Sequence, residues 1–250
     1  MSSFPLERRI FTFWTGENPM SEARRACLES MAASECEVRL VTPDNLNDWI
    51  LPDAPLHESY RYLSQVHKSD YLRAYFMHHH GGGYSDVKLT TRSWLPSFES
   101  LDATDAFGIG YREVSRKGVA HIHRNEINGS RFFRAEPTSA AANFLRYRLM
   151  RLKWRSLIGN GAYIFRSKSD FTAEWLKTIE RRLDQLSEPL RLNPAPHPRA
   201  SFGAEDPNGK TTTYPVPWSF ICADIFHPLV YRHRHRILQG LPAPSFKNYQ

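Results

Sequence analysis

The chain has 250 residues, 41% hydrophobic and 24% charged, with a formal net charge of +7. That length and apolar content exclude a disordered chain and allow one sizeable core. No run approaches the roughly 18 consecutive apolar residues of a membrane span, and the positive balance favours an anionic partner such as nucleic acid, an acidic membrane face or a phosphate-bearing substrate.

The N-terminus, MSSFPLERRIF, lacks an apolar signal core, so the expectation is a cytoplasmic protein. Arg9–Trp14 (RIFTFW) is a run of β-branched and aromatic residues and reads as the first strand. A turn over Thr15–Pro19 leads to a helix from about Met20 to Ala33, with Pro19 suited to its start. Glu37–Thr42 alternates as a second strand, and Pro43-Asp44-Asn45 opens a short helix ending near Ile50. This order predicts an α/β domain with a mostly parallel sheet.

After a loop at Pro52–Pro55, an imperfect apolar stripe predicts a helix from about His57 to His80. Gly81-Gly82-Gly83 ends it, and Tyr84–Thr90 and Phe107–Arg112 read as strands. Residues 138–156 look helical. Ala162–Arg166 reads as a short strand, preceded by a turn at Asn160-Gly161. A helix is expected from Asp170, read as its N-cap, to Leu186. Residues 188–217 hold seven of the 17 prolines and predict a long surface loop, a candidate lid. A last helix is expected from about Trp218 to Val230.

Several residue groups can carry chemistry. Asp70 and Arg73 lie three apart on a helix and share a face; the plainer reading is an exposed ion pair. The neighbouring glycines let a backbone approach a ligand and offer free N–H groups, or simply form a turn. Asp86 and Lys88, two apart on a strand, point to one side. They form either a polar strand face or a pair in which Asp86 holds a metal and Lys88 a phosphate. His78-His79-His80 cannot converge on one ion, because successive helix residues point about 100° apart. Asp224 and His227, three apart on the last helix, are better candidates for a metal ligand, or form a surface pair. Trp14 either stacks on a base at the strand end or packs in the core. Cys27, Cys36 and Cys222 have no metal-ligand spacing and read as reduced, buried thiols. Basic clusters at residues 146–155 and 231–236 are either solvated helix faces or contacts for anionic lipid head groups. No nucleic-acid-binding signature accompanies them.

Phe13-Trp14-Thr15-Gly16, Ser69-Asp70-Tyr71-Leu72-Arg73 and Gly82-Gly83-Tyr84-Ser85-Asp86-Val87-Lys88 occur in that order. Together they resemble capsular-polysaccharide-synthesis proteins and the related family 32 glycosyltransferases of the GT-A type, over residues 9–90. The resemblance implies a single GT-A-like, Rossmann-type domain over residues 1–250, with a mostly parallel sheet flanked by helices. Residues 9–134 would form the nucleotide-sugar part, and 135–250 the acceptor part with the proline-rich loop. It implies a retaining hexosyltransferase that uses a nucleotide sugar, by default a UDP-sugar, in capsule or lipopolysaccharide synthesis. A glycan or lipid-linked glycan would be the acceptor.

Carried over by position, Trp14, Thr15, Gly16, Asp70, Arg73, Gly82, Gly83, Tyr84 and Ser85 would bind the donor. Arg73, Asp86 and Lys88 would act at the reacting centre. Asn160, Gly161 and Asp224 would serve the acceptor or the chemistry, and Asp86 with His227 would hold a divalent cation, Mn²⁺ or Mg²⁺. One departure matters: Lys88 stands where that motif has its second acid. Either Lys88 replaces part of the metal's charge, or the metal survives with Lys88 on the phosphate. The competing readings are a non-catalytic basic module that binds anionic polymer or membrane, and a nucleotide-sugar hydrolase.

Overall fold

The computed structural model describes residues 6–127, 129–206 and 209–245. Met1–Pro5 of the N-terminal reading, and Pro207 and Asn208 of the proline-rich segment, lie outside them. The strands are β1 (Arg9–Phe13), β2 (Glu37–Val41), β3 (Gly82–Ser85), β4 (Gly108–Arg112), β5 (Arg131–Phe133), β6 (Glu136–Thr138), β7 (Ile158–Phe165) and β8 (Ile237–Gln239). The helices are α1 (Glu22–Ser30), α2 (Gln65–His79), α3 (Leu95–Asp102), α4 (Ala140–Leu152), α5 (Asp170–Leu192) and α6 (Ala223–Arg232).

Six strands form one sheet in the order β2-β1-β3-β7-β4-β8, and β5 and β6 make a separate hairpin. The β1–β2, β1–β3 and β4–β8 pairs are parallel. β7 alone runs against its neighbours β3 and β4. This is the expected mixed α/β architecture with a mostly parallel sheet, compatible with a GT-A-like domain.

Both faces of the sheet are covered. One core joins Phe11 and Phe13 of β1 to Tyr75 and Phe76 of α2, Trp175 of α5 and Phe226 of α6. The other joins Ile10, Ile109 and Ile164 to Trp94, Phe98 and Leu101 around α3. The alternation of Ile10 and Phe11 between these cores is the period-2 pattern of a doubly covered strand. Phe76 meets Phe11 and Phe13 edge-on at ring separations of 4.9 and 5.0 Å. Such pairs add about 0.5–1.5 kcal/mol beyond area burial.

Serine starts four of the helices. Ser21, Ser64, Ser139 and Ser169 accept the backbone N–H of Arg24, His67, Ala142 and Thr172, respectively. Such a cap is worth about 1 kcal/mol. The cap of α5 is therefore Ser169 and not Asp170. Ser64 also explains why the predicted 57–80 helix is broken: a 3-10 turn over Glu58–Tyr62 precedes it, and Leu63 and Ser64 are extended.

Other expectations shift for physical reasons. β3 stops at Ser85, so Asp86 and Lys88 lie beyond the strand and not within it. Asn160 and Gly161 are inside β7 and are not a turn before it. The 188–217 segment begins as the last turn of α5, with Pro189 inside the helix. It then packs down: Ala200, Tyr214 and Val216 are fully buried. Val66 N–H donates to Pro198 O, and Ala195 N–H to Tyr62 O. The final helix starts at Ala223, later than expected.

Candidate functional site

α2 is buried on all sides, from His67 through Met77 apart from Lys68 and Ser69. A helix in that position is normally apolar throughout. This one carries Asp70 and Arg73 into the interior, where unpaired charges are costly. They pair with each other, Arg73 Nη2 to Asp70 Oδ1 at 2.7 Å. Arg73 Nη1 donates to Asn160 O at 2.8 Å, and the guanidinium lies over the Tyr84 ring at 5.0 Å.

β3 ends where Asp86 begins a loop at the carboxyl end of the parallel strands, the edge at which open α/β sheets bind ligands. Asp86 N–H donates to Gly161 O, so the β3–β7 ladder holds its backbone. Its Oδ1 accepts from Tyr84 OH at 2.6 Å, its Oδ2 from Lys88 Nζ at 2.7 Å, and Arg73 Nη2 stands 3.9 Å from Oδ1. Burial alone would raise the Asp86 carboxyl. Lys88 and Arg73 outweigh it and hold the group below the ordinary carboxylate range. Burial likewise opposes the Arg73 charge, but Tyr84 and Asp70 overcome it and raise its pKa above the usual guanidinium value.

The structure thus brings Asp70, Arg73, Tyr84, Asp86, Lys88, Asn160 and Gly161 together. A Cβ on Gly161 would sit 3.1 Å from Asp86 Oδ2 and 3.2 Å from Lys88 Nζ, so this glycine makes room for the ion pair. Cys222 was not foreseen here. Asn160 Nδ2 donates to its Sγ at 2.7 Å. Burial and Asp70 push the thiol well up, which keeps it protonated and un-nucleophilic at neutral pH. Tyr111, whose hydroxyl is 3.4 Å from Gly161 N, was also missed. Neither residue carries a spacing signal in the sequence. Among the described residues, Arg73 Nε and Asn160 Oδ1 are buried without a hydrogen-bond partner.

Trp14, Thr15 and Gly16 follow β1 at the same sheet edge. Trp14 is half-buried, with Nε1 donating to Asn18 O at 2.7 Å, and Thr15 Oγ1 donates to Gln65 O at the start of α2. A Cβ on Gly16 would meet Gln65 Oε1 at 2.3 Å, so the loop lies tightly on that helix end.

The glycines before Tyr84 do not offer free N–H groups to a ligand. Gly82 and Gly83 are sheet residues at the far end of β3. Gly82 has φ +81°, and its Cβ would lie 2.9 Å from Arg9 O. Ser85 is buried and bonds Asp86 O. Their function is close packing of β3 on β1.

Asp224 and His227 have other partners. Asp224 is buried and accepts from Asn125 Nδ2 and Ser219 Oγ. His227 Nδ1 accepts the N–H of Ala120, and its Nε2 faces Glu113 at 3.5 Å. The three histidines diverge as expected: His78 meets Thr172, His80 meets Trp49 O, and the His79 ring lies tilted against Tyr75 at 4.4 Å.

The donor set does not fit a protein-held divalent ion at Asp86. Both of its oxygens are engaged, one by an ammonium group. Among the described residues no three His, Cys, Asp or Glu side chains gather as a metal site.

Fold and site define an α/β protein with a buried ionic cluster at the carboxyl ends of its parallel strands β1 and β3. Residues 2–118, a little under half of the chain, match the family described as capsular polysaccharide synthesis protein. That match supports a role in polysaccharide biosynthesis and is compatible with a transferase. No curated protein and no solved structure matches the chain. Among the described residues, no helix is long and apolar enough to cross a membrane.

Proposed function

We propose that the protein transfers a sugar from a nucleotide-sugar donor to a glycan acceptor. The observation that carries this reading is the cluster of Asp70, Arg73, Asp86 and Lys88, built by two motifs that lie within the family match. The donor diphosphate would meet Arg73 and Lys88, and its sugar hydroxyls would meet Asp70 and the free Asn160 Oδ1. Buried polar atoms left unpaired cost about 1–3 kcal/mol each, and a polar ligand at Arg73 Nε and Asn160 Oδ1 would offset that.

Lys88 does the work otherwise given to a cation. A lysine in place of an acid changes that position from −1 to +1, a gain of two charges, as much as a divalent ion brings. Fixed positive groups aimed at the leaving diphosphate stabilise its developing charge. In a retaining transfer, the acceptor oxygen bonds to the anomeric carbon as the carbon–oxygen bond to the diphosphate breaks. The acceptor proton passes to the departing phosphate oxygen, so no protein nucleophile is needed.

Thermal shifts of the purified protein with UDP, GDP, CMP and their sugars test this, each with excess chelator and with Mn²⁺. A ligand at a hundredfold its Kd adds about 2.7 kcal/mol of stability, a rise of about 5 °C or more for a chain of this size. One nucleotide family is expected to shift Tm equally in chelator and in Mn²⁺, and Lys88→Ala to abolish the shift. A folded protein that responds to none of them would overturn the transferase reading. A shift seen only with Mn²⁺ would overturn the role given to Lys88.

A further inference from the structure

The inward face of α4 is formed by Asn143, Tyr147 and Met150. The opposite face carries Leu145, Leu149 and Leu152, spaced i, i+4 and i+7. These leucines are 71%, 45% and 67% exposed, with Phe144 beside them at 48%. A solvent-facing helix stripe is normally polar. Four of the largest exposed apolar side chains on one helix therefore form a patch that calls for a partner.

The charges around the patch are of one sign. Arg148, Arg151, Lys153 and Arg155 lie on or just after α4. A groove beside the helix is lined by Val114, Arg116, Lys117, Arg151, Trp154 and Arg155. No Asp or Glu occurs between Glu136 and Asp170. Glu113, next to the groove in sequence, is turned inward towards His227. Among the described residues none of these six cations forms an ion pair, whereas the C-terminal basic cluster is largely engaged: Arg232 and His233 meet Glu174, and Arg236 meets Asp105.

We propose that the outward face of α4, with the basic groove beside it, docks on an anionic lipid bilayer. Leucines would enter the head-group boundary, while the arginines and lysines, with long stems and charged tips, reach the lipid phosphates. A second copy of the chain fits less well, because a two-fold contact sets each patch against itself and would oppose cation to cation. Nucleic acid accounts for the cations but gives the leucine stripe nothing to contact.

Flotation with phosphatidylglycerol–phosphatidylcholine vesicles, compared with phosphatidylcholine alone, tests the proposal. Binding to the anionic vesicles only, weakening at high salt, is expected. Each cation near the surface contributes about fivefold in affinity, so Arg148→Glu with Arg151→Glu should lower binding at least about 25-fold. Leu145→Glu with Leu149→Glu should lower it at least about tenfold. These positions face solvent, so unchanged Tm values confirm that the variants are folded.

Three results overturn the proposal: no flotation of the wild-type chain with anionic vesicles, equal flotation with neutral ones, or undiminished binding by the leucine variant. Light scattering closes the remaining alternative. A dimer that Leu149→Glu dissolves, without vesicle binding, would assign the face to a second copy.

Discussion

At the scale of single residues, Gly161 is the sharpest test of the site. An alanine Cβ there would press on Asp86 Oδ2 and Lys88 Nζ, both at the ends of side chains that can yield by a few tenths of an ångström. The fold should survive, and the ion pair should move. Misplacement by 1 Å can cost about a hundredfold in catalysis, so Gly161→Ala should lose about tenfold in donor-dependent turnover with little change in Tm. Gly159→Ala is the contrast, because its Cβ would lie 2.0 Å from the Tyr111 ring, and stability should fall instead. Equal behaviour of the two variants in activity and melting assays would remove Gly161 from the site. Asp70 with Arg73 was legible in the sequence because helical spacing sets that pair, whereas Asp86 and Lys88 were legible only as neighbours, since the strand expected to align them stops at Ser85. Asn160, Gly161 and Cys222 reach the same cluster through the register of β7 beside β3 and the start of α6, which no local pattern encodes.

At the scale of elements, α2 and its C-cap His80 carry four histidines whose pKa values are lowered. Burial lowers His67, although Asp70 opposes this, and it lowers His78 and His80 as well. Burial, with the cations of His78 and His80, takes His79 from 6.5 to about 4. For each, the folded value lies below the unfolded one, so between the two the unfolded chain binds more protons. Stability is therefore full above about pH 6.5 and falls as pH drops towards about 4. Asp86, with its folded value depressed, adds a loss of the same sign at lower pH. The urea midpoint should fall steadily from about pH 7 to about pH 5, and His79→Gln should flatten part of that slope. A midpoint flat across this range would refute the assignment. Helix and strand identities were legible from apolar periodicity, but their ends were not. The 57–80 helix looked continuous because its apolar stripe runs through Leu63, and only the Ser64 cap divides it. The proline-rich segment looked exposed because composition does not report that Tyr214 OH meets Ser64 N and His67 Nδ1.

At the scale of the whole molecule, the sheet ties the matched N-terminal part to the rest. β7 comes from beyond residue 118, yet it lies between β3 and β4 and supplies both of their antiparallel ladders. Without it, β3 and β4 would share no partner and five buried hydrophobic residues, Ile158, Ala162, Tyr163, Ile164 and Phe165, would leave the two cores. Each large apolar side chain so lost removes about 1.5–3 kcal/mol. The total is comparable to the 5–15 kcal/mol that holds a typical domain together. α5 and α6, which cover the α2 side of the sheet, would be missing as well. Arg73 would also lose Asn160 O, leaving its guanidinium with one hydrogen-bonding partner fewer. Residues 1–118 expressed alone should therefore show no cooperative thermal transition and no nucleotide-induced shift, while the full chain melts in a single step. A fragment with its own sharp melting transition would show that the two halves fold independently. The Asp70, Arg73, Asp86 and Lys88 part of the cluster would then form within the N-terminal half, with β7 only adding Asn160 and Gly161 beside it.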